Sequence, residues 1–341
     1  MPFHTDPKFP KFPRCEFWIR SLNPGGRSAF FLLVTEYTEE TKKGMTLDSL
    51  IDEEAGLRLL INRSGAEMVS LARRDAEGNW RGFLHRDGQV EEPATGWANH
   101  ATVMGYFLHR LWKEQSSYRG KVIRGGNHGF LRHVDFGPPE VRDGALVYRV
   151  SADQIPAEAY PLKVSFALTY SLSREGVRVE FAFTNEEPEL EAHVSFGLHP
   201  GFAVNSPRTC RLHFPAGTYR RYWAPGNFLN GETEDFTILA GDMPMARETL
   251  PDSWLLGLDQ LASRQFILED HEIGHRLILD FSEVPFLTVW SDMNPFLCLE
   301  PCWGLPDNNP PKAFENKSGI QVIAPGATLE RGFGILPEIL S

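Results

Sequence analysis

The residue best suited to proton-transfer chemistry is Glu300, which ends the apolar run "PFLCLE" (295–300) and stands directly before Pro301. A carboxylate at the end of a buried strand costs free energy unless it is paired or close to solvent. Partial burial would raise its pKa toward the range that suits a general base. The alternative is a structural carboxylate that is bonded to the amide groups of the following turn.

Two histidines, like Glu300, stand beside residues that shape the backbone. His199 ends a strand-like run and precedes Pro200, which favours an extended backbone before it. A partly buried histidine there can have a pKa near neutrality. His128 stands in the glycine-rich "RGGNHGFLR" (124–132), where the backbone can approach a ligand closely. Either histidine could contact a ligand; otherwise His199 is a hydrogen-bonded core residue and His128 is a surface residue in a turn.

The segment around Glu300 also contains an aromatic ring and two thiols. Trp303 offers a flat apolar face of the kind that stacks on sugar rings, and a core tryptophan is the alternative. Cys298 and Cys302 form a C-x-x-x-C pattern with no clear partner pair nearby, which is not a strong metal spacing. We interpret Cys298 as buried packing and Cys302 as a turn residue.

Residues 271–275 spell "HEIGH", which matches the H-E-x-x-H signature of zinc proteases. That chemistry needs a helix, because only helical spacing puts both histidines on one face. Here the motif contains Gly274 and stands between the strand-like runs "RQFILED" and "HRLILDF". We therefore predict a hairpin turn with exposed polar residues and no metal site.

The elements that must position these residues are predicted to be β-strands. Short runs of β-branched and aromatic residues are separated by turn residues, and "VRVEFAF" (177–183) alternates apolar and polar side chains. This pattern predicts an all-β fold, an antiparallel sandwich or barrel, with a few helical turns near 46–54 and 101–114. We expect an N-terminal extension over residues 1–50, packed on a single domain over residues 51–341.

Composition limits the partners. The net charge of -11, with no basic block of five or six residues, argues against nucleic acid and membrane surfaces. The N-terminal residues lack the apolar core of a signal peptide, and no apolar run approaches the roughly 18 residues of a membrane helix. Four cysteines are too few for a disulfide framework. We expect a reduced, cytoplasmic protein whose oligomeric state the sequence does not indicate.

Three segments in this order, "HGFLR" (128–132), "GLHPGF" (197–202) and "CLEPCWGLPD" (298–307), resemble the aldose 1-epimerase (galactose mutarotase-like) family. The similarity extends from about residue 55 to residue 336. The resemblance implies a large antiparallel β-sandwich, the galactose mutarotase-like supersandwich with few short helices, which holds a sugar on its concave face.

The resemblance also implies roles for the matching residues. Glu300 would take the proton of the anomeric hydroxyl as general base, His199 would protonate the ring oxygen as general acid, and His128 would hydrogen-bond the sugar and help to polarise it. The open aldehyde would turn about its C1–C2 bond and reclose on its other face. The implied activity is the interconversion of the α and β anomers of a free aldose, with no metal or organic cofactor.

The segment "WANHATVMGYFLHRL" (97–111) departs from the arginine-containing pattern of the family. Asn99 or His100 occupies the expected arginine position, and Arg110 remains nearby. Asn99 and Arg110 are therefore candidate sugar ligands.

An acidic residue that binds sugar hydroxyls is expected from the resemblance, and Asp259 and Asp252 are its candidates. Two other functions stay open. The altered segment favours a non-catalytic carbohydrate-binding or regulatory protein on the same scaffold. A hexose-phosphate 1-epimerase would need a basic cluster, which could come from Arg110, Arg124, Arg132, Arg220 and Arg221.

Overall fold

The computed structural model describes residues 17–22, 28–33, 35–42, 44–90, 96–142, 144–239, 241–243, 250 and 253–340. Within these residues the chain is built of β-strands, and its helices are single 3₁₀ turns. The first strands are β1 (Phe17–Leu22), β2 (Ser28–Leu33), β3 (Thr35–Lys42), β4 (Met45–Asp52), β5 (Leu57–Asn62), β6 (Glu67–Arg74), β7 (Trp80–Gly82), β8 (Ala101–Met104), β9 (Gln115–Tyr118), β10 (Lys121–Arg124), β11 (Glu140–Arg142), β12 (Ala145–Val150), β13 (Val164–Ser173) and β14 (Gly176–Asn185).

The second half of the chain continues the pattern. Its strands are β15 (Ala192–Val194), β16 (Phe196–Ala203), β17 (Arg211–Phe214), β18 (Gly217–Tyr222), β19 (Thr233–Ile238), β20 (Gly241–Met243), β21 (Trp254–Gly257), β22 (Gln265–Asp270), β23 (His275–Asp280), β24 (Phe286–Trp290), β25 (Phe296–Trp303), β26 (Gln321–Ile323) and β27 (Thr328–Ile339). The 3₁₀ turns are Trp112–Glu114, Leu131–His133, Ala152–Gln154, Pro225–Asn227 and Phe314–Asn316. The predicted all-β class is confirmed.

Three larger antiparallel sheets organise the described residues. The nine-stranded sheet has the order β11-β12-β13-β14-β27-β23-β22-β17-β20, and the seven-stranded sheet has the order β19-β18-β21-β24-β25-β16-β8. A five-stranded sheet runs β3-β4-β5-β6-β7. The pairs β1-β2, β9-β10 and β15-β26 form two-stranded sheets. No helix in the described part of the chain is long and apolar enough to cross a membrane.

The main hydrophobic core includes aromatic side chains that join the two largest sheets. Phe181 and Phe183 of β14 contact Phe196 of β16, at centroid distances of 5.3 and 4.7 Å. Phe196 in turn stacks on Trp303 of β25 at 5.1 Å. Burying one such side chain stabilises the fold by about 1.5–3 kcal/mol. Because strand side chains alternate between faces, the opposite face of β25 is left to carry the polar residues of a site.

The expected helical turns near 46–54 and 101–114 are largely wrong. Residues 45–52 form β4, which pairs with β3 and β5, and residues 101–104 form β8; only Trp112–Glu114 is a 3₁₀ turn. The strands on both sides of β4 supply partners for its backbone N–H and C=O groups, so these groups do not need the hydrogen bonds of a helix. β4 also crosses residue 50, where the N-terminal extension was expected to end, and the division at that residue stays a prediction.

The "HEIGH" segment forms the turn between β22 and β23, with Asp270 paired to His275. The predicted hairpin is therefore confirmed. His271 is exposed, but His275 is buried and stacks on Phe83 at 4.3 Å, so the expectation of exposed polar residues is wrong for His275. His275 is already the first residue of β23, and its side chain points into the core.

Candidate functional site

Two neighbouring strands of the seven-stranded sheet bring His199 and Glu300 together. Gly197 of β16 pairs with Cys302 of β25, and the two strands are antiparallel. His199 lies two residues after Gly197 and Glu300 two residues before Cys302, so both side chains project from the same face. Nε2 of His199 lies 3.3 Å from Oε1 of Glu300. Residues that are 101 positions apart in the sequence therefore form one contact pair.

The ring of His199 is held between two tryptophans. Trp97 stacks on it at a centroid distance of 5.0 Å, and Trp290 approaches it edge-on at 5.9 Å. Residue 201 must be a glycine for this arrangement, because a Cβ atom there would lie 2.3 Å from the ring of Trp97. The imidazole is thus fixed in place beside the carboxylate of Glu300.

Two further histidines reach the same space from loops. His109 and His128 have left-handed backbone conformations, with φ of 53° and 63°. The backbone N–H of His128 donates to the carbonyl of His109 at 2.7 Å, which ties the two loops together. The ring of His128 lies 5.1 Å from that of His199 and 5.5 Å from that of His109. The three imidazoles therefore form one cluster, in which His199 contacts Glu300.

These residues line one cavity of about 410 Å³, a size typical of small-molecule sites. The structure brings five of the predicted site residues to its wall: Asn99, Arg110, His128, His199 and Glu300. The wall also contains Trp97, Thr102, His109, Asn127, Arg132 and Trp290. Aromatic faces, amides, hydroxyls and guanidinium groups together suit a ligand with many hydroxyl groups and apolar C–H faces.

Trp303 and Asp259 do not line this cavity. Trp303 follows Glu300 by three positions in the same strand, so its side chain points to the opposite face; it is 1% exposed and packs on Phe196. Only a strand that ended at Glu300 would leave Trp303 free to face the cavity, and β25 continues to Trp303. Asp259 is exposed in the turn that follows β21. The other acidic candidate, Asp252, lies outside the described residues.

The two thiols of β25 are buried on the same face as Glu300. The burial of Cys298 is confirmed, but Cys302 is not a turn residue because β25 continues to Trp303. The Cys302 thiol lies 3.7 Å from the hydroxyl of Thr288.

One group of donors in the described part of the chain is close enough to hold a metal ion. A ring nitrogen of His109, a carboxylate oxygen of Glu300 and the sulfur of Cys302 lie within 4.8 Å of one another. These are donor types of zinc sites. Burial, however, raises the pKa of the Cys302 thiol well above its usual range, and Glu300 is already in contact with His199. The group fits a hydrogen-bonding role better than a cation site.

Burial sets the protonation of the His199–Glu300 pair. It raises the pKa of Glu300 well above its usual range, and it lowers the pKa of His199 to about 3, with His109 and Arg132 adding to the second shift. Both shifts favour the neutral forms, so the pair has no net charge, and one titratable proton can lie either on the carboxyl group or on the imidazole, in addition to the N–H that the neutral imidazole keeps. A pair that shares one proton can accept a proton at one atom and release one at the other.

Several buried polar atoms on the wall have no hydrogen-bond partner among the described residues. They are Nε2 of His109, Nδ1 of His128, Nδ1 of His199 and Oε2 of Glu300. Leaving such an atom unpaired costs about 1–3 kcal/mol, so their concentration in one cavity indicates a place where a polar ligand binds.

Sequence reasoning missed several wall residues, and the signals for them were weak. His109 directly precedes Arg110, which was a candidate, but no motif marked it. Trp290 ends the strand-like run "PFLTVW", at a position comparable to that of Glu300. Trp97 opens the segment that departs from the family pattern, and nothing local distinguishes it from a core residue.

Comparison with solved structures defines the class of fold. The galactose mutarotase related enzyme of Lactobacillus acidophilus has a TM-score of 0.74 at 18% identity, covering 90% of this chain and 98% of that chain. A galactose mutarotase-like protein of Lactobacillus casei has a TM-score of 0.71 at 22% identity, covering 89% of this chain and all of that chain. The predicted galactose mutarotase-like supersandwich is therefore confirmed.

The sequence itself defines the family. Residues 49–335 match the aldose 1-epimerase family, and the chain belongs to it. The plasmid-encoded protein LacX of Lactococcus lactis subsp. lactis is 24% identical over 246 residues, covering 65% of this chain and 77% of LacX. Members of this family are enzymes of the isomerase kind that act on sugars. The resemblance drawn from three short segments is thus confirmed.

Proposed function

We propose that this protein is an aldose 1-epimerase that interconverts the α and β anomers of a free aldose. The observation that carries the proposal is the 3.3 Å contact between His199 and Glu300 on the wall of an open cavity. Opening a hemiacetal ring needs one proton removed and one delivered at two oxygens on the same carbon, and a carboxylate beside an imidazole suits that task.

The proposed reaction uses the proton that Glu300 and His199 share. When the proton lies on His199, the Glu300 carboxylate removes the proton of the C1 hydroxyl while the His199 N–H protonates the ring oxygen. The bond between C1 and the ring oxygen breaks, and C1 becomes an aldehyde carbon. After rotation about C1–C2 the transfers run in reverse on the other face of the carbonyl. The open-chain stage leaves Glu300 protonated and His199 neutral, which is the state that burial favours.

His128, Asn99 and Arg110 would hold the sugar in this reaction. All three line the cavity, and the side-chain oxygen of Asn99 accepts a hydrogen bond from Nη2 of Arg132 at 3.2 Å. Arg132 thereby fixes the orientation of the amide. The Asn99 NH₂ group is then directed away from Arg132 and is available to donate to a ligand.

The test is the rate of anomer exchange for a panel of freshly dissolved α-aldoses, followed by polarimetry or NMR and corrected for the spontaneous rate. We expect exchange by the wild type, and its loss in Glu300→Gln and in His199→Asn. Equal rates in wild type and Glu300→Gln across the panel would reject the proposal. Sugar binding in a calorimeter without exchange would favour the non-catalytic binding protein instead.

A sugar phosphate is a second candidate substrate, because Arg110 and Arg132 both line the cavity. Arg220, by contrast, is paired with Asp235, and Arg124 donates to Gln115. Two guanidinium groups suit a phosphate, which they can bind in a bidentate manner. A hexose 6-phosphate should then have a KM at least tenfold below that of the free hexose; equal KM values would exclude this substrate. The cytoplasmic location stays a prediction.

A further inference from the structure

His109 lies on the cavity wall, and the mechanism proposed above gives it no role. Its backbone is left-handed, with φ of 53°, a conformation that costs free energy for most residues that carry a side chain. Its carbonyl accepts the backbone N–H of His128, so the conformation is held in place by the neighbouring loop. A residue kept in this conformation beside a reactive pair is a candidate for a functional role.

The distance between His109 and Glu300 suggests what that role is. A ring nitrogen of His109 lies within 4.8 Å of a carboxylate oxygen of Glu300. Hydrogen bonds to oxygen are about 2.8 Å long, so one hydroxyl oxygen placed between the two groups can reach both. Both sides offer an unpartnered atom for it: Nε2 of His109 and Oε2 of Glu300 are buried and have no partner among the described residues.

We propose that His109 is a third catalytic residue, which binds the same sugar oxygen that Glu300 deprotonates, the oxygen on C1. This inference rests on the proposed anomer exchange. As Glu300 removes the proton, the oxygen gains negative charge, and an N–H of His109 stabilises it. Once the aldehyde has formed, the same donor polarises the carbonyl for reclosure. A preorganised donor at such an oxygen acts mainly on the transition state.

The surroundings of His109 keep its imidazole neutral. Burial lowers its pKa to about 3, and the positive charge of Lys317 adds to the shift. Lys317 is itself buried, and its amine has no hydrogen-bond partner among the described residues. A neutral imidazole can donate one hydrogen bond, and it does not compete with His199 for the proton that the pair shares.

The test uses a substitution that matches the backbone of residue 109. His109→Gly removes the ring and suits the left-handed conformation, so the fold should be as stable as before. Lys113→Gly is the matched control, because Lys113 also has φ of 53°, is exposed and lies outside the cavity wall. His109→Asn restores a side-chain donor that tolerates this backbone.

We expect kcat of His109→Gly to fall about 100-fold, with KM changed less than about threefold, as for the loss of one oxyanion donor. His109→Asn should recover at least about tenfold of that loss by the same mechanism. Lys113→Gly should match the wild type, and all three variants should keep their Tm. Wild-type activity in His109→Gly, or an equal loss in His109→Gly and His109→Asn, would overturn the inference.

Two further measurements separate this inference from the proposed function. Prior treatment with EDTA should leave the activity unchanged; loss of activity on chelation would assign His109 to a metal site instead. In Glu300→Gln, titration with the tested aldose should shift the ¹⁵N signals of the His109 ring. If the signals shift but the wild type does not exchange anomers, the proposed function is rejected and the contact between His109 and the sugar is kept. If the wild type exchanges anomers but the signals do not shift, only the contact between His109 and the sugar is rejected.

Discussion

Asp48 and Glu300 are both buried carboxylates, and their surroundings differ in one decisive respect. The two oxygens of Asp48 accept hydrogen bonds from Arg63 at 2.8 and 3.0 Å, from Tyr37 at 2.8 Å and from Tyr148 at 2.9 Å. Glu300 has one neighbour of this kind, the imidazole of His199 at 3.3 Å, and its Oε2 has no partner among the described residues. The first carboxylate is fully paired, and the second is not.

Under the proposed function, the difference means that one all-β scaffold uses the same chemical group in two ways. A buried carboxylate that is paired with a cation and two hydroxyls holds parts of the chain together, and its removal lowers the stability of the fold. A buried carboxylate with an open hydrogen-bonding position is costly to the fold, so it is kept where a ligand completes it. Asp48 links β4 to Tyr148 of β12, whereas Glu300 faces a cavity.

The largest expected effect comes from Glu300→Gln. Removing the proton acceptor should lower kcat about 1,000-fold, within the usual range for a general base. The Tm should be unchanged or higher, because a neutral amide is easier to bury than an ionisable carboxyl group. Anomer exchange by NMR and thermal unfolding by circular dichroism measure the two quantities. A Tm decrease in Glu300→Gln would mean that Glu300 is structural, like Asp48.

The second largest effect is expected for Asp48→Asn, which should lower the stability and leave the activity unchanged. Asp48→Asn leaves Arg63 without its buried carboxylate partner and should lower the free energy of unfolding by about 3 kcal/mol. The activity per folded molecule should stay within about twofold of the wild type, because Asp48 does not line the cavity. Urea denaturation and the exchange assay at 25 °C measure these quantities. A large loss of kcat in a folded Asp48→Asn protein would show that the two carboxylates are coupled.

A smaller effect on KM is expected to distinguish Trp97 from Trp303. Trp97→Ala removes the ring that stacks on His199 in the cavity wall and should raise KM about fivefold, since an aromatic contact contributes roughly 1 kcal/mol beyond its buried area. Trp303→Phe is the control, because Trp303 lies on the opposite face of β25 and is buried in the core. It should lower the Tm and leave KM unchanged. A KM increase in Trp303→Phe would restore Trp303 as a sugar contact.

The smallest effect is a pH dependence of stability. Burial lowers the pKa of His109 to about 3 in the folded protein, while the unfolded chain has about 6.5. The unfolded state therefore binds the additional proton first, and stability falls as the pH decreases from about 7 to 5.5. One histidine contributes about 1 kcal/mol to that decrease.

The variants that test His109 also test this pH dependence. The loss of unfolding free energy between these pH values should be about 1 kcal/mol smaller in His109→Gly than in Lys113→Gly. The raised pKa of Glu300 acts in the opposite direction, but it is common to both proteins and does not affect the difference. Equal losses in the two variants would mean that His109 is not held neutral in the folded state.

Much of the site could be predicted because its key residues stand in short distinctive segments. Glu300 and His199 each end an apolar run in the sequence, and His128 stands in a glycine-rich segment. In the structure His199 and Glu300 lie inside β16 and β25, and their side chains reach the cavity from one face of the sheet. Trp303 lies on the opposite face of β25, in the core, because the strand does not end at Pro301. A proline lacks the N–H that a ladder needs, yet β25 continues past it while its pairing with β16 is interrupted over residues 299–301.

The sequence by itself determined the fold class and the family, and it singled out Glu300 and His199 as candidates for proton transfer, because alternation, turn residues and ordered motifs are local properties of the chain. The tertiary structure decided which side chains meet at the cavity. The stacking of Trp97 on His199 and the approach of His109 to Glu300 join residues about one hundred or more positions apart. Such contacts depend on how β8, β16, β24 and β25 lie side by side, and no local pattern in the chain encodes that register.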